Sequence, residues 1–277
     1  MHLDTSEHYH IGGVRTEDQM DFAGKSAFVM GGTTGIGRAT AELFVERGAR
    51  VTVFGASGSA DGADPELDAL PDGMLALVGD GSIAAEVDGA IKRAAEHGGG
   101  LDILVCSAAI HPYGDAVDTD PSVWARVMAV NIGSAYLTAH FGVPHLRRRG
   151  GGSIINVASN QGSANSAGLS AYATSKGALL AFTRTLAVDF GKDGIRANTV
   201  SPGPIDTPLL RVAARKLKDG RSLEEIYDDW GKNLPICRIG RAREMAEVIA
   251  FLASDRASYV TGADYVADGG LLAALGF

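Results

Sequence analysis

Tyr172 and Lys176 stand four residues apart, so a helix over this stretch would place a phenol and an ammonium on one face. Such pairs occur on many ordinary helices, and this one carries no chemistry alone. Ser159 changes its meaning, because it ends a strand-like run at the carboxyl edge, where doubly wound sheets hold ligands. Three groups able to hold or move a proton then converge on one crevice. A second feature is the turn Gly31-Gly32-Thr33-Thr34-Gly35-Ile36-Gly37, which follows a short apolar run and opens directly into a helical pattern. In a parallel sheet such a turn aims backbone N–H groups and a helix N-terminus at a pyrophosphate, and side chains at the glycines would block the approach. An ordinary glycine-rich turn remains the alternative, and the strand before and the helix after favour a dinucleotide site.

The elements that must position these groups follow from periodicity. Short apolar or β-branched runs at Ser26–Met30, Arg50–Phe54, Met74–Val78, Ile103–Cys106, Ser153–Val157, Arg196–Val200 and Asp264–Val266 predict seven strands. Helical patterns at Ile36–Arg47, Ile83–His97, Pro121–Phe141, Ala171–Phe190 and Arg243–Ala253 lie between them. The alternation predicts an α/β fold, a doubly wound parallel sheet flanked by helices in a single domain spanning residues 23–277. Residues 1–22 lack an apolar period and read as a loose extension. Residues 204–235 follow the sixth strand with apolar residues at helical spacing, where a substrate lid would sit.

Composition narrows the function classes. The chain carries 25 Lys and Arg against 33 Asp and Glu, a net charge of -8 that would repel nucleic acid. Cys106 and Cys237 are far apart and outside any Cys/His cluster of zinc spacing, so no metal site is expected, and reduced thiols in the cytoplasm are. The first twenty residues mix charges without an apolar stretch, and the longest charge-free run, 150–175, is rich in Gly, Ser and Asn. Neither a signal peptide nor a membrane span is expected. Glycine is abundant, 37 of 277 residues, which suits tight turns and a ligand cradle.

In order along the chain, Gly31-x3-Gly35-Ile36-Gly37, Asp80, Asn131, Ser159, Tyr172-x3-Lys176, Ser201-Pro202-Gly203 and Asp268-Gly269-Gly270 resemble the motifs of the short-chain dehydrogenase/reductase family, across about Phe22 to Gly270. The resemblance implies a Rossmann-type fold and an NAD(P)-dependent oxidoreductase interconverting a secondary alcohol and a ketone. It implies Tyr172 as general acid/base, Lys176 on the nicotinamide ribose and lowering the tyrosine pKa, Ser159 on the substrate oxygen, and Asn131 supporting a proton-relay water. A free tyrosine titrates near pKa ~10, so that ammonium and an oxidised nicotinamide must favour the phenolate. The implied dinucleotide contacts are Gly31, Thr33, Thr34, Gly35, Ile36, Gly37, Arg38, Ser57, Asp80, Gly81, Ser107, Ala108, Ala109, Asn131, Tyr172, Lys176, Pro202, Gly203, Ile205 and Thr207. Family members are commonly tetramers, so a homotetramer is expected.

Local readings stand beside these roles. Asn131 could close a local backbone hydrogen bond, and Asp80 could cap the helix it precedes. The sequence also departs from the family: Met30 replaces a usual Thr, and Cys106-Ser107-Ala108-Ala109 replaces Asn-Asn-Ala-Gly. Cys106 reads as a packed thiol. The second strand runs into Gly55-Ala56-Ser57 without the acid that holds the ribose hydroxyls of NAD. Arg38 and Ser57 could reach the phosphate of NADP, which is favoured over NAD, although Arg38 could equally be a solvated helix residue. Around the reacting carbon, His111, Ser159, Gln161 and Tyr172 are the expected substrate contacts, with Asn160, Tyr113, Ile205 and Trp230 nearby. They suit a small polar, sugar or cyclic substrate. Competing readings are a dinucleotide-sensing protein without catalysis and a dehydratase or epimerase on the same fold.

Overall fold

Alternation of side chains along a strand decides what each residue of the central sheet touches. In the computed structural model, which describes residues 21–56, 70–216 and 220–274, β1 (Ser26–Met30) sends Ala27 and Val29 into one buried cluster and Phe28 and Met30 into another. β4 (Ile103–Cys106) repeats the division with Ile103 and Val105 against Leu104 and Cys106. Both faces are therefore covered, which is why these strands read as continuous apolar runs. β2 (Arg50–Gly55), β3 (Met74–Val78), β5 (Gly152–Val157), β6 (Ile195–Pro202) and β9 (Asp264–Ala267) complete a seven-stranded sheet in the order β3-β2-β1-β4-β5-β6-β9. Every pairing in it is parallel. The seven strands lie where the apolar runs predict them, within two residues at each end.

On one face α1 (Gly35–Glu46) packs against α8 (Ala242–Ala253); on the other α2 (Ala84–Gly98) packs against α4 (Ser134–Arg148), and α5 (Ser170–Phe190) lies along β6. The chain runs outward from β1 to β3 and then crosses back to β4. The switch point between β1 and β4 opens a crevice at the carboxyl edge.

Three expectations are corrected. Phe22, assigned to the extension, is 1% exposed and packs on Phe44 with ring centroids 4.7 Å apart, so the core already includes it. The helix expected over Pro121–Phe141 is α3 (Pro121–Met128), a π-helical turn at Ala129–Gly133, and then α4, which continues to Arg148. It passes through Pro144 because buried Val143 and Leu146 tie the last turns to the core. The segment 204–235 is not one helical stretch but β7 (Ile205–Asp206), α6 (Pro208–Lys216) and α7 (Leu223–Lys232), the last started by a Ser222–Glu225 capping box. β7 pairs with β8 (Gly240–Arg241), a pairing too short to leave a periodic signal.

Candidate active site

The turn after β1 is built by close approach. Gly31 has φ +72°, and a Cβ there would lie 2.5 Å from the Ala108 nitrogen; at Gly37 a Cβ would lie 2.1 Å from the Gly31 carbonyl oxygen. The glycines thus let α1 begin against the turn and let the turn lie against the strand end of β4. Thr34, the N-cap of α1, is extended and makes no side-chain cap bond, so the first N–H groups of the helix face the crevice without one. Thr33 donates its hydroxyl to the Ala56 carbonyl at 3.2 Å, tying the turn to the end of β2.

That crevice is a cavity of about 1180 Å³. It is larger than the ~300–1,000 Å³ of a pocket for one drug-sized ligand. Its lining includes Gly31, Thr33, Thr34, Gly35 and Ile36 from the turn, Asp80 and Gly81 after β3, and Ser107, Ala108 and Ala109 after β4. Pro202, Gly203, Ile205 and Thr207 close the β6 side. Ser159, Tyr172 and Lys176 line the same cavity, as do His111 and Gln161. The expected site is therefore largely brought together.

Four members behave differently. Gly37 is buried beneath the turn and serves by its missing side chain. Arg38 is not in the lining, and its guanidinium pairs with Glu42 one helical turn on, at 2.6 Å. Ser57 lies outside the described residues. Asn131 is fully buried in the π turn: its Oδ1 accepts from the Ile110 N–H at 2.8 Å, while its Nδ2 donates to the Ile110 carbonyl and to Ser175 Oγ, each at 3.0 Å. Ser175 in turn donates to the Tyr172 carbonyl at 2.6 Å. Asn131 thus clasps the loop after β4 to the helix that carries Tyr172, a longer reach than a local backbone bond.

The proton-handling groups are almost dry. Tyr172 is 7% exposed, and burial pushes its phenol up to about 12, with the hydrogen-bonded Ser159 hydroxyl pulling the other way. The resemblance implies a lowered phenol pKa. In this structure burial raises it, and Lys176 turns its Nζ to the Val157 carbonyl, 2.8 Å away, 5.6 Å from the centre of the phenol ring. Burial also brings Lys176 down to about 8, opposed by the nearby Cys106 thiol. Ser159 donates to Asn160 Oδ1 and accepts from the Gln161 N–H, both at 3.2 Å. Gln161 is occupied at both ends of its amide by Ser166, at 3.0 and 2.7 Å, so it shapes the loop as well as lining the cavity. His111 packs edge-on against Tyr172 with ring centroids 4.3 Å apart.

Asp80 does not cap α2, whose N-cap is Ile83 with no side-chain bond; it lies ahead of the helix and lines the cavity. Its Oδ1 accepts from the Ser82 N–H and hydroxyl, and its Oδ2 accepts from Arg126 at 2.8 Å. Arg126 also lines the cavity and was not singled out from the sequence. No periodic signal marks it, since it acts across 46 residues of chain. Cys106 is a packed thiol as expected, 3.5 Å from Ser134 Oγ and raised in pKa by its burial.

A doubly wound sheet with a glycine cradle and a buried Ser–Tyr–Lys cluster at its switch point defines a class of oxidoreductases. Comparison with known proteins agrees: residues 31–272 match the family described as enoyl-(acyl carrier protein) reductase. The chain is 35% identical over 251 residues to an uncharacterized oxidoreductase of Thermotoga maritima, covering 91% of this chain and 98% of that protein. It is 37% identical over 260 residues to the cis-4-hydroxycyclohexanecarboxylate dehydrogenase of Sinomonas cyclohexanicum, with the same coverage. The ligand-free structure of Thermoplasma acidophilum aldohexose dehydrogenase is similar with a TM-score of 0.84 at 33% identity, covering 93% of this chain and 98% of that one. This chain belongs to the short-chain dehydrogenase/reductase family and is an oxidoreductase of it.

Proposed function

We propose that the protein interconverts a secondary alcohol and its ketone, with a nicotinamide dinucleotide as redox partner and Tyr172 as the proton-transfer residue. The observation that carries this reading is the convergence of Tyr172, Ser159 and Lys176 on the cavity that the glycine turn also lines. The residues present fit the dinucleotide: the turn after β1 packs too closely on its own backbone to admit a side chain at Gly31 or Gly37, which holds it in the shape of a cradle, and the N-terminus of α1 opens on it. When bound, that group supplies the hydride chemistry. The chain does the rest. Ser159 holds the substrate oxygen, Tyr172 gives its proton to that oxygen in reduction and takes it back in oxidation, and Lys176 holds the ribose. With its phenol at about 12 in this structure, Tyr172 holds the proton that reduction needs, and bound ligands must lower that value for it to be given up readily. Oxidation requires the Lys176 charge to swing from the Val157 carbonyl toward the phenol. Asn131 acts through Ile110 and Ser175 as a positioning residue.

NADP is the favoured partner, because β2 ends in Gly55-Ala56 where an acid would hold the ribose hydroxyls of NAD. Arg38, whose Nε is paired with Glu42, stands at the start of the same helix, α1. The relatives named for a hydroxycyclohexane acid and for aldohexoses point to a ring alcohol as substrate. The test is a panel of secondary alcohols and ketones with each dinucleotide, followed at the reduced-nicotinamide absorbance. Dinucleotide-dependent turnover is expected, with the higher kcat/KM for NADP. No absorbance change with any pair overturns the reading, and a higher kcat/KM for NAD overturns the choice of partner.

A further inference from the structure

The lining of the cavity is divided by chemistry as well as by element. Its charged side chains, among the described residues, are Asp80, Arg126 and Lys176. Asp80 and Arg126 neutralise each other at 2.8 Å beyond the end of β3, far along the sheet from Ser159 and Tyr172 on the other side of the switch point. Lys176 is committed to the Val157 carbonyl. Around the phenol the lining is polar: Asn160 on the Ser159 hydroxyl, His111 edge-on to Tyr172, and Tyr113 with its ring 5.1 Å from that of His111. The wall contributed by α6, α7 and the chain after it is mostly apolar, with Leu209, Leu210, Ala213, Trp230 and Leu234, and carries one amide, Asn233. Leu209 lines the cavity while 37% exposed, an apolar surface that an occupant would cover.

The geometry points to an uncharged alicyclic secondary alcohol, apolar on one side of its ring, as the substrate; the inference rests on the oxidoreductase reading above. A carboxylate placed beside Tyr172 would lose its water without gaining a committed counter-ion from the lining, and desolvating an unpaired charge is costly. A fully hydroxylated hexose would press hydroxyls against Leu209, Leu210 and Leu234, which offer them no partner, with the Asn233 amide the polar group among them. A ring with its hydroxyl at the Ser159–Tyr172 end and hydrocarbon toward α6 satisfies both walls. The expected substrate thus differs in charge from the hydroxycyclohexane acid and in polarity from the aldohexose.

The experiment compares cis-4-methylcyclohexanol, cis-4-hydroxycyclohexanecarboxylate and D-glucose as substrates of the full chain with the preferred oxidised dinucleotide. The methylcyclohexanol is expected to exceed each of the others in kcat/KM by about 100-fold, the scale on which a pocket rejects a group it cannot satisfy. A carboxylate or hexose turned over as well or better overturns the inference. If none is turned over, the redox reading for this class fails separately, and titration calorimetry of the three compounds on the dinucleotide-saturated protein decides. Tightest binding of methylcyclohexanol upholds the inference; tightest binding of either polar compound, or binding of none, overturns it.

Discussion

Two buried groups, a phenol held near 12 and an ammonium held near 8, sit in one cavity wall with opposite needs. Each is shifted toward its neutral form by the same burial, because a dry site penalises charge of either sign. The sign of the Lys176 shift gives a pH prediction: a lowered ammonium pKa means the charge is complete below about 8 and lost as pH rises through it. The reductive kcat/KM for the dinucleotide, which reports the free enzyme, is expected to be level below pH 8 and to fall above it. Tyr172 stays protonated throughout that range. A profile level from pH 7 to 10 contradicts a Lys176 role in holding the dinucleotide.

At the scale of elements, the π turn at Ala129–Gly133 inserts Asn131 between the loop after β4 and α5, which a regular helix would not do. Another irregular position is Cys237, a non-glycine residue at φ +56° just before β8. A Cβ in the left-handed region costs on the order of 1 kcal/mol, so Cys237→Gly is expected to stabilise the fold by up to about 1 kcal/mol, offset in part by glycine's added chain entropy. A lowered midpoint in chemical denaturation would contradict that account. These two positions also mark where the sequence is readable and where it is not. The strands are legible because both faces of each are buried, and Ser159, Tyr172 and Lys176 are legible because local spacing places them on one edge. The π turn, the Arg126–Asp80 pair, the Gln161–Ser166 clamp and the Arg38–Glu42 pair are invisible as such. A helical period does not distinguish one π turn, and spacing does not say which of several partners a long side chain takes.

At the scale of the whole molecule, no helix among the described residues is long and apolar enough to cross a membrane. Exposed apolar side chains remain on the helices that flank β4 to β6: Trp124 on α3, Tyr136 on α4 and Val188, 81% exposed, on α5. We propose that these faces join copies into the homotetramer that the family resemblance implies. Sedimentation at micromolar concentration is expected to give four times the chain mass, and a monomer at that concentration contradicts the proposal. The central proposed role of the sheet edge is to bring the phenol of Tyr172 to a substrate oxygen. The direct measurement is Tyr172→Phe, which removes one oxygen from a ring that is packed on His111 and already buried. Turnover is expected to fall at least about 100-fold, the scale of general acid–base catalysis, while the dinucleotide Kd stays within about threefold, less than one tenfold step of 1.4 kcal/mol. Near-normal turnover by that variant contradicts the account.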